Sequence, residues 1–303
     1  MLTLFATPKP FSGHIRLIQR NAIRSWLSLD PKCDIILFGD DEGTGKAAAE
    51  FGVRHIPKVN CNEFGTPLLD SLFQMAQDLA KYRVMAYVNA DIILLDDFVR
   101  AVQRIQRPSF LMVGQRRDIE INVELDFGNP NSQSQLRCDI NKRSVLHGRT
   151  GIDYFVFDRG LFRDIPPFAI GRTAWDNWLI YRARSLGVPV IDATEVITAV
   201  HQNHDYLHHA DGAEGVWKGP ESKYNSGLSG TVKHAFSIAD ATCVLTKNGL
   251  RAALDFAYIW RRVYTLSLWY PFLAPLQRLL NILLKASRPI RAKIGFTLEK
   301  VHS

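Results

Sequence analysis

The sequence predicts an α/β fold built on a mostly parallel sheet, and three observations predict it. Apolar runs of strand length alternate with helix-period segments through the first 110 residues. The runs are apolar throughout, as strands covered on both faces must be. Three of them end on polar residues, at Thr7, Asp40-Asp41 and Asn89-Ala90-Asp91. Those are the carboxyl strand ends at which such sheets bind ligands.

The elements follow in order. Leu2-Thr3-Leu4-Phe5-Ala6 reads as a buried strand stopped by Thr7-Pro8, and residues 14–28 carry Ile15, Ile18, Ala22, Ile23 and Trp26 near helical period. Asp34–Gly39 is a second strand that turns at Asp40-Asp41-Glu42-Gly43. Thr66-Pro67 reads as an N-cap followed by proline at the first helical position, heading a helix over Leu68–Ala80. Val84–Val88 is a third strand, and a helix restarts near Asp96. Residues 115–150 break the rhythm; they are polar and rich in Asn and Arg, the mark of a functional or poorly ordered loop. A strand returns at Ile152–Phe157, a helix at Thr173–Leu186, a short strand at Val188–Ile191 and a strand-like segment at Val196–Val200. Residues 210–235 read as a Gly-rich loop, and no internal repeat is visible.

Charge divides the chain. Of the formal net charge of +7, all lies in residues 251–303, with nine basic and two acidic side chains. The first 250 residues hold twenty-eight of each sign. A neutral body excludes a generally basic nucleic-acid binder, so no nucleic-acid partner is expected. Composition sets the division at 1–235 for the α/β domain and 236–303 for a basic, aromatic, helical extension. Phe256, Ile259, Trp260, Val263 and Leu266 stripe one side of a helix. Leu266–Leu284 approaches the length of a membrane span but is interrupted by Pro271, Pro275 and Arg278. An interfacial segment on an anionic membrane surface is the expectation, with a true span or a hairpin packed on the body as alternatives. Cys33, Cys61, Cys138 and Cys243 are scattered, with no CxxC pair, which suits a reducing compartment. The apolar run before Pro8 is far short of the roughly 7–15 residues of a signal peptide. The expectation is a cytoplasmic protein, peripherally associated with membrane through its C-terminal segment.

The most informative motif is Tyr87-Val88-Asn89-Ala90-Asp91-Ile92-Ile93-Leu94, an apolar strand with an acid at its tip. Side chains two apart in extended chain point the same way, so Asn89 and Asp91 are expected to address one ligand. A divalent cation holding a diphosphate needs one or two carboxylates besides the phosphate oxygens. An acid at a strand end equally serves to cap the next turn.

In this context the chain resembles nucleotide-diphospho-sugar transferases, glycosyltransferases of the GT-A fold. Asn89-Ala90-Asp91 resembles a variant of their metal-binding DXD motif. Asn62–Phe73, Gly151-Ile152-Asp153-Tyr154-Phe155-Val156-Phe157 and Ala174-Trp175-Asp176-Asn177-Trp178-Leu179 look like recurring blocks of one such group. The resemblance covers roughly Leu2–His209 and departs from the motif at Asn89, which leaves Asp91 as its single carboxylate. It implies a Rossmann-like, mostly parallel sheet flanked by helices, here with a helical C-terminal extension. It also implies sugar transfer from a nucleotide-diphosphate-sugar donor to an acceptor hydroxyl, with Mn²⁺ or Mg²⁺ as cofactor and a carbohydrate or lipid-linked acceptor.

By that resemblance Thr7, Pro8, Asp40 and Asp41 hold the nucleoside, whose N–H and hydroxyl donors suit a carboxylate; Asp40 otherwise caps its own turn. Thr66, at the expected helix start, and Arg116 and Arg117 are candidate diphosphate partners, though an arginine pair opening a loop is often merely solvated. Asp176 is the candidate general base, giving inversion, with Trp175 as a stacking surface for sugar. Asp153 is a candidate for orienting the donor sugar. Four of the nine histidines fall within His201–His209; His201, then His204, are expected to join Asp91 at the metal. Taken without the family, His201, His204 and Asp205 also fit a zinc site or a solvated loop. A metal-dependent hydrolase and a non-catalytic nucleotide-sugar-binding membrane protein therefore stand as alternatives.

Overall fold

In a computed structural model, residues 1–204, 217–230, 236–276 and 278 are described. The first strands and helices lie close to where periodicity puts them. They are β1 (Leu2–Ala6), α1 (Gly13–Ser28), β2 (Asp34–Phe38), α2 (Thr44–Phe51), β3 (Arg54–Ile56), α3 (Leu69–Leu79), β4 (Val84–Val88), β5 (Ile92–Leu94), α4 (Asp96–Gln103) and β6 (Leu111–Val113). Then follow β7 (Arg116–Ile119), α5 (Pro130–Arg143), β8 (Val145–Leu146), β9 (Tyr154–Asp158), α6 (Trp175–Ser185), β10 (Val190–Asp192) and β11 (Ala199–Gln202). The last are α7 (Pro220–Leu228), β12 (Cys243–Thr246), β13 (Gly249–Ala252) and α8 (Phe256–Trp269).

A nine-stranded sheet has the order β13-β12-β10-β6-β9-β4-β1-β2-β3. Its pairings are parallel except where β9 meets β4 and β6 and where β13 meets β12. The expected α/β architecture is the one observed. Alternation of side chains splits the sheet's two faces. Phe5, Met85 and Tyr87 pack one way with α3 and α6, around Phe73 and Leu179. Leu4, Ala86 and Val88 pack the other way with α1 and α4, around Trp26 and Phe98. A second sheet, β5-β11-β7-β8, stands beside the tip of β4 and closes a third small core with Leu136 and Ile140 of α5.

Residues 115–150 are not irregular: they hold β7, α5 and β8. The start of α5 has a physical signature in Asn129-Pro130. The Asn129 side chain accepts from the Asn131 N–H at 2.9 Å, and proline occupies the first turn. Thr66 does not cap a helix. α3 begins at Leu69, while the Asn62 side chain accepts from the Thr66 N–H at 3.0 Å and holds it in the preceding loop. The α/β body does not stop at 235. β12 pairs in parallel with β10, and Phe236, Ile238, Ala253 and Tyr258 belong to the core. The Gly-rich stretch 210–235 contains α7; its residues 210–216 and 231–235, with Asp205 and residues 279–303, lie outside the described residues.

Candidate functional site

β4, β1 and β2 are adjacent and parallel, so their carboxyl ends bring Asn89–Asp91, Thr7-Pro8 and Asp40-Asp41 to one edge. Thr7 Oγ1 is buried without a hydrogen-bond partner, and Asp40 and Asp41 are exposed. Burial and the neighbouring charge of Asp40 push the Asp41 carboxyl up. Gly39 sits between strand and acids at φ +98°, a conformation that disfavours a side chain. The buried Gln19 side chain fixes the loop after β1 by accepting from the Lys9 N–H at 2.6 Å and donating to its carbonyl at 2.8 Å.

The chain turns at Asn89, where the Ile92 N–H bonds the Asn89 carbonyl at 3.1 Å. Asn89 and Asp91 are therefore not two positions of one extended strand, and their side chains part. Asn89 Nδ2 donates to Asp153 Oδ1 at 2.8 Å. Asp91 faces two imidazoles, with His204 Nε2 at 3.2 Å and His201 Nε2 at 3.8 Å from its Oδ2. Buried Gln202, on β11 beside His201, donates to the Asp91 carbonyl at 3.0 Å and so ties the turn to the second sheet.

One ligand atom each from Asp91, His201 and His204 lie within 4.8 Å of one another. Asp91 Oδ1 is buried and has no hydrogen-bond partner, which is the condition expected of a carboxylate awaiting a cation. Burial opposes ionisation of Asp91, but the His204 hydrogen bond and the charges of His201, Lys9 and His204 outweigh it. They hold the carboxyl well below the usual range. These residues fit a divalent metal, and the two imidazoles suit Mn²⁺ or a softer ion better than Mg²⁺, which prefers oxygen.

Register explains what surrounds this cluster. Asp118 of β7 pairs with His201 of β11, and Arg116, two residues away, shares their face. Asp118 Oδ1 lies 3.1 Å from His201 Nδ1, and His147 Nδ1 lies 2.6 Å from Asp118 Oδ2. Burial disfavours a charged Asp118, yet His201, His147 and Arg116 hold its carboxyl below the usual range. Burial also works against a charged His201, but Asp118 and Asp91 raise its imidazole above its ordinary value. Sequence reasoning missed Asp118 and His147. Strand alternation through Arg116-Arg117-Asp118 could have flagged the first, and nothing local marks the second.

Arg116 is not an open diphosphate partner. Its Nε donates to Asp118 at 2.8 Å, and its Nη1 reaches both oxygens of Asp153 at 2.9 and 2.8 Å. Two carboxylates already compensate it. Arg117, on the opposite face of β7, donates to Ser144 Oγ at 3.4 Å and points away from the cluster. Asp153 is buried and fully engaged by Asn89 and Arg116, so it braces the floor of the site.

Asp176 stands in the first turn of α6, behind an unusual start. Its N-cap, Ala174, has φ +83°, a left-handed conformation strained for a residue with a Cβ. Asn225 of α7 secures the approach, donating to the Ala169 and Thr173 carbonyls at 2.9 and 3.1 Å. Burial pushes the Asp176 carboxyl up to about 7. Backbone N–H groups of Asn177 and Asp176 oppose the shift, and the charge of Asp153 adds to it. Trp175 is no sugar platform: 4% exposed, it packs its ring against Tyr87 and Phe155, with centroids 5.5 and 5.4 Å apart.

No family model matches the chain, and no curated protein matches it. Similar solved structures include a mannosyltransferase from Pyrobaculum calidifontis in complex with GDP-mannose and Mn²⁺. It is 14% identical over 66% of this chain and 56% of that one, at a TM-score of 0.41. The chain thus spans little more than half of that protein. A second is glucosyl-3-phosphoglycerate synthase from Mycobacterium tuberculosis with Mn²⁺, UDP-glucose and phosphoglyceric acid, 13% identical over 77% of each chain, at a TM-score of 0.40. Its complex with Mg²⁺ and UDP is 12% identical over 67% of this chain and 72% of that one, at 0.38. TM-scores of this size are too low to carry function from one chain to another, so the side chains of this one must decide it.

Proposed function

We propose that the protein is a glycosyltransferase that moves a sugar from a nucleotide-diphosphate donor to an acceptor hydroxyl. The observation that carries this reading is the convergence of Asp91, His201 and His204 at the carboxyl end of β4. Thr7, Asp40 and Asp41 line the adjoining strand ends, where a nucleoside fits. A divalent cation held there supplies charge stabilisation for the departing diphosphate. Asp176, ionising at about 7, is matched to taking the proton of the attacking hydroxyl near neutral pH. Attack by that oxygen on the anomeric carbon as its bond to diphosphate breaks gives inversion. Asn89, Asp153 and Arg116 keep the floor rigid, and the Asp118 carboxylate, 3.1 Å from His201 Nδ1, favours the proton on that nitrogen and leaves Nε2 for the metal.

The four free cysteines suit a cytoplasmic setting. The basic, aromatic C-terminal segment favours an anionic membrane surface and a carbohydrate or lipid-linked acceptor presented near it. No helix among the described residues is long and apolar enough to cross a membrane. Two histidines and one carboxylate also form a donor set of catalytic zinc, which favours a metal-dependent hydrolase as the second reading.

A thermal-shift panel of nucleotide sugars with Mn²⁺ tests the first reading, because a ligand that binds only the folded state stabilises it in proportion to ln(1+[L]/Kd). Stabilisation by one nucleotide sugar is the expected result. A flat panel, or zinc-dependent ester hydrolysis without nucleotide binding, overturns it.

A further inference from the structure

α8 turns two charged or hydroxyl-bearing anchors inward and leaves several of its apolar side chains outward. Its inward positions are Tyr258, Arg261 and Thr265. Tyr258 Oη donates to Asp192 at 2.7 Å, Arg261 Nη2 to fully buried Asp240 at 2.8 Å, and Thr265 Oγ1 to the Arg261 carbonyl at 2.9 Å. The Thr265 bond stays within the helix; those of Tyr258 and Arg261 tie it to the body, where Trp269 also stacks on Tyr181 with ring centroids 5.7 Å apart. Its outward stripe is apolar, with Phe256 61%, Ile259 45% and Val263 39% exposed, one helical face by spacing. Beyond the break at Pro271, Phe272 and Leu276 are exposed at 75% and 63%. Large apolar side chains exposed at this density along one segment mark an interaction surface.

We propose that the outward face of α8, with Phe272 and Leu276, docks onto an anionic lipid bilayer, lying in the headgroup plane. This names the docking face for the membrane part of the proposed function, and rests on that part alone. Charge selects the occupant. Arg278 is exposed at the C-terminal end of the surface, and the sequence continues with Lys285, Arg288, Arg291, Lys293 and Lys300 against the single acid Glu299. Asp255 is paired with Arg251 at 2.9 Å. Such a charge excess attracts anionic lipid and repels a second copy of the same face. Helices that lie in a bilayer interface combine an apolar face with basic flanks in this way.

The test is co-sedimentation of the full chain with phosphatidylcholine vesicles, with and without phosphatidylserine, for the wild type and for the double variant Ile259→Glu, Val263→Glu. Nucleotide-sugar affinity and melting temperature are followed in parallel. The wild type is expected to sediment with the serine-containing vesicles, and the variant to bind them at least about tenfold more weakly. Melting temperature and donor affinity are expected to stay unchanged. Wild type and variant binding equally well overturns the docking face and leaves the membrane reading standing. A wild type that binds no vesicles removes both. A wild-type dimer that the variant makes monomeric assigns the face to self-association. A lower melting temperature in the variant assigns it to cover by the chain's own residues. Either result overturns the proposal.

Discussion

Asp118 Oδ1 lies 3.1 Å from His201 Nδ1, while Nε2 of the same ring looks toward Asp91. A carboxylate charge beside one imidazole nitrogen favours the proton there, which leaves the other nitrogen's lone pair for a metal and makes it a better ligand. Asp118→Asn keeps the shape and removes the charge. It is expected to weaken Mn²⁺ binding by about 10–100-fold, read by electron paramagnetic resonance of free Mn²⁺. Unchanged affinity would mean that Asp118 does not orient His201.

Asp176 makes two predictions with opposite signs. Asp176→Asn is expected to lower the transfer rate by about 10²–10⁴-fold while donor affinity in calorimetry stays the same. The wild-type rate should fall on the acid side of about pH 7, where the carboxyl gains its proton. Stability runs the other way. The folded carboxyl ionises at about 7 against an ordinary 3.8, so the native state holds a proton that the unfolded chain releases between those values. Stability from this group is present below that window and is lost as pH rises through it. The neutral amide introduced by Asp176→Asn avoids that loss, so the variant should melt higher than wild type above neutral pH. Transfer at the wild-type rate would remove Asp176 from the chemistry.

Arg261 tests the seating of α8. It is 8% exposed, and its partner Asp240 is fully buried. Arg261→Met leaves a buried carboxylate without its cation, which is expected to cost about 3–5 kcal/mol in urea unfolding. A loss below about 1 kcal/mol, the size of a surface pair, would show that α8 is not held through this bond.

Trp175 separates core from site. Its ring fills space between Tyr87 and Phe155, so Trp175→Ala is expected to lose about 3–5 kcal/mol of stability. The milder Trp175→Phe should leave donor and acceptor KM unchanged. A raised KM with unchanged stability would restore the stacking role.

Much of the architecture was legible because apolar strands and helix periodicity are local. β1 and β4 fall on the runs that predict them, and the acids at the ends of β2 and β4 stand where ligands reach such sheets. What sequence did not disclose is non-local. Arg116 and Arg117 read alike as a pair opening a loop; only the folded strand β7 sends them to opposite faces and sets Arg116 between Asp118 and Asp153. Sequence puts Asn89 and Asp91 on one ligand by extending the strand three residues past Val88; the turn at Asn89 separates them. The apolar stripe of α8 was legible, but not its outward direction, which polar anchors at Tyr258 and Arg261 decide.

The proposed nucleotide-sugar site is one completed by a metal on Asp91, His201 and His204. Isothermal titration of the nucleotide sugar selected by thermal shift, with and without Mn²⁺, into wild type and His204→Ala tests it most directly. The wild type should bind tightly only with Mn²⁺, and the variant should lose that Mn²⁺ dependence. Binding of equal strength with and without Mn²⁺, or a variant that keeps the full metal dependence, would contradict it.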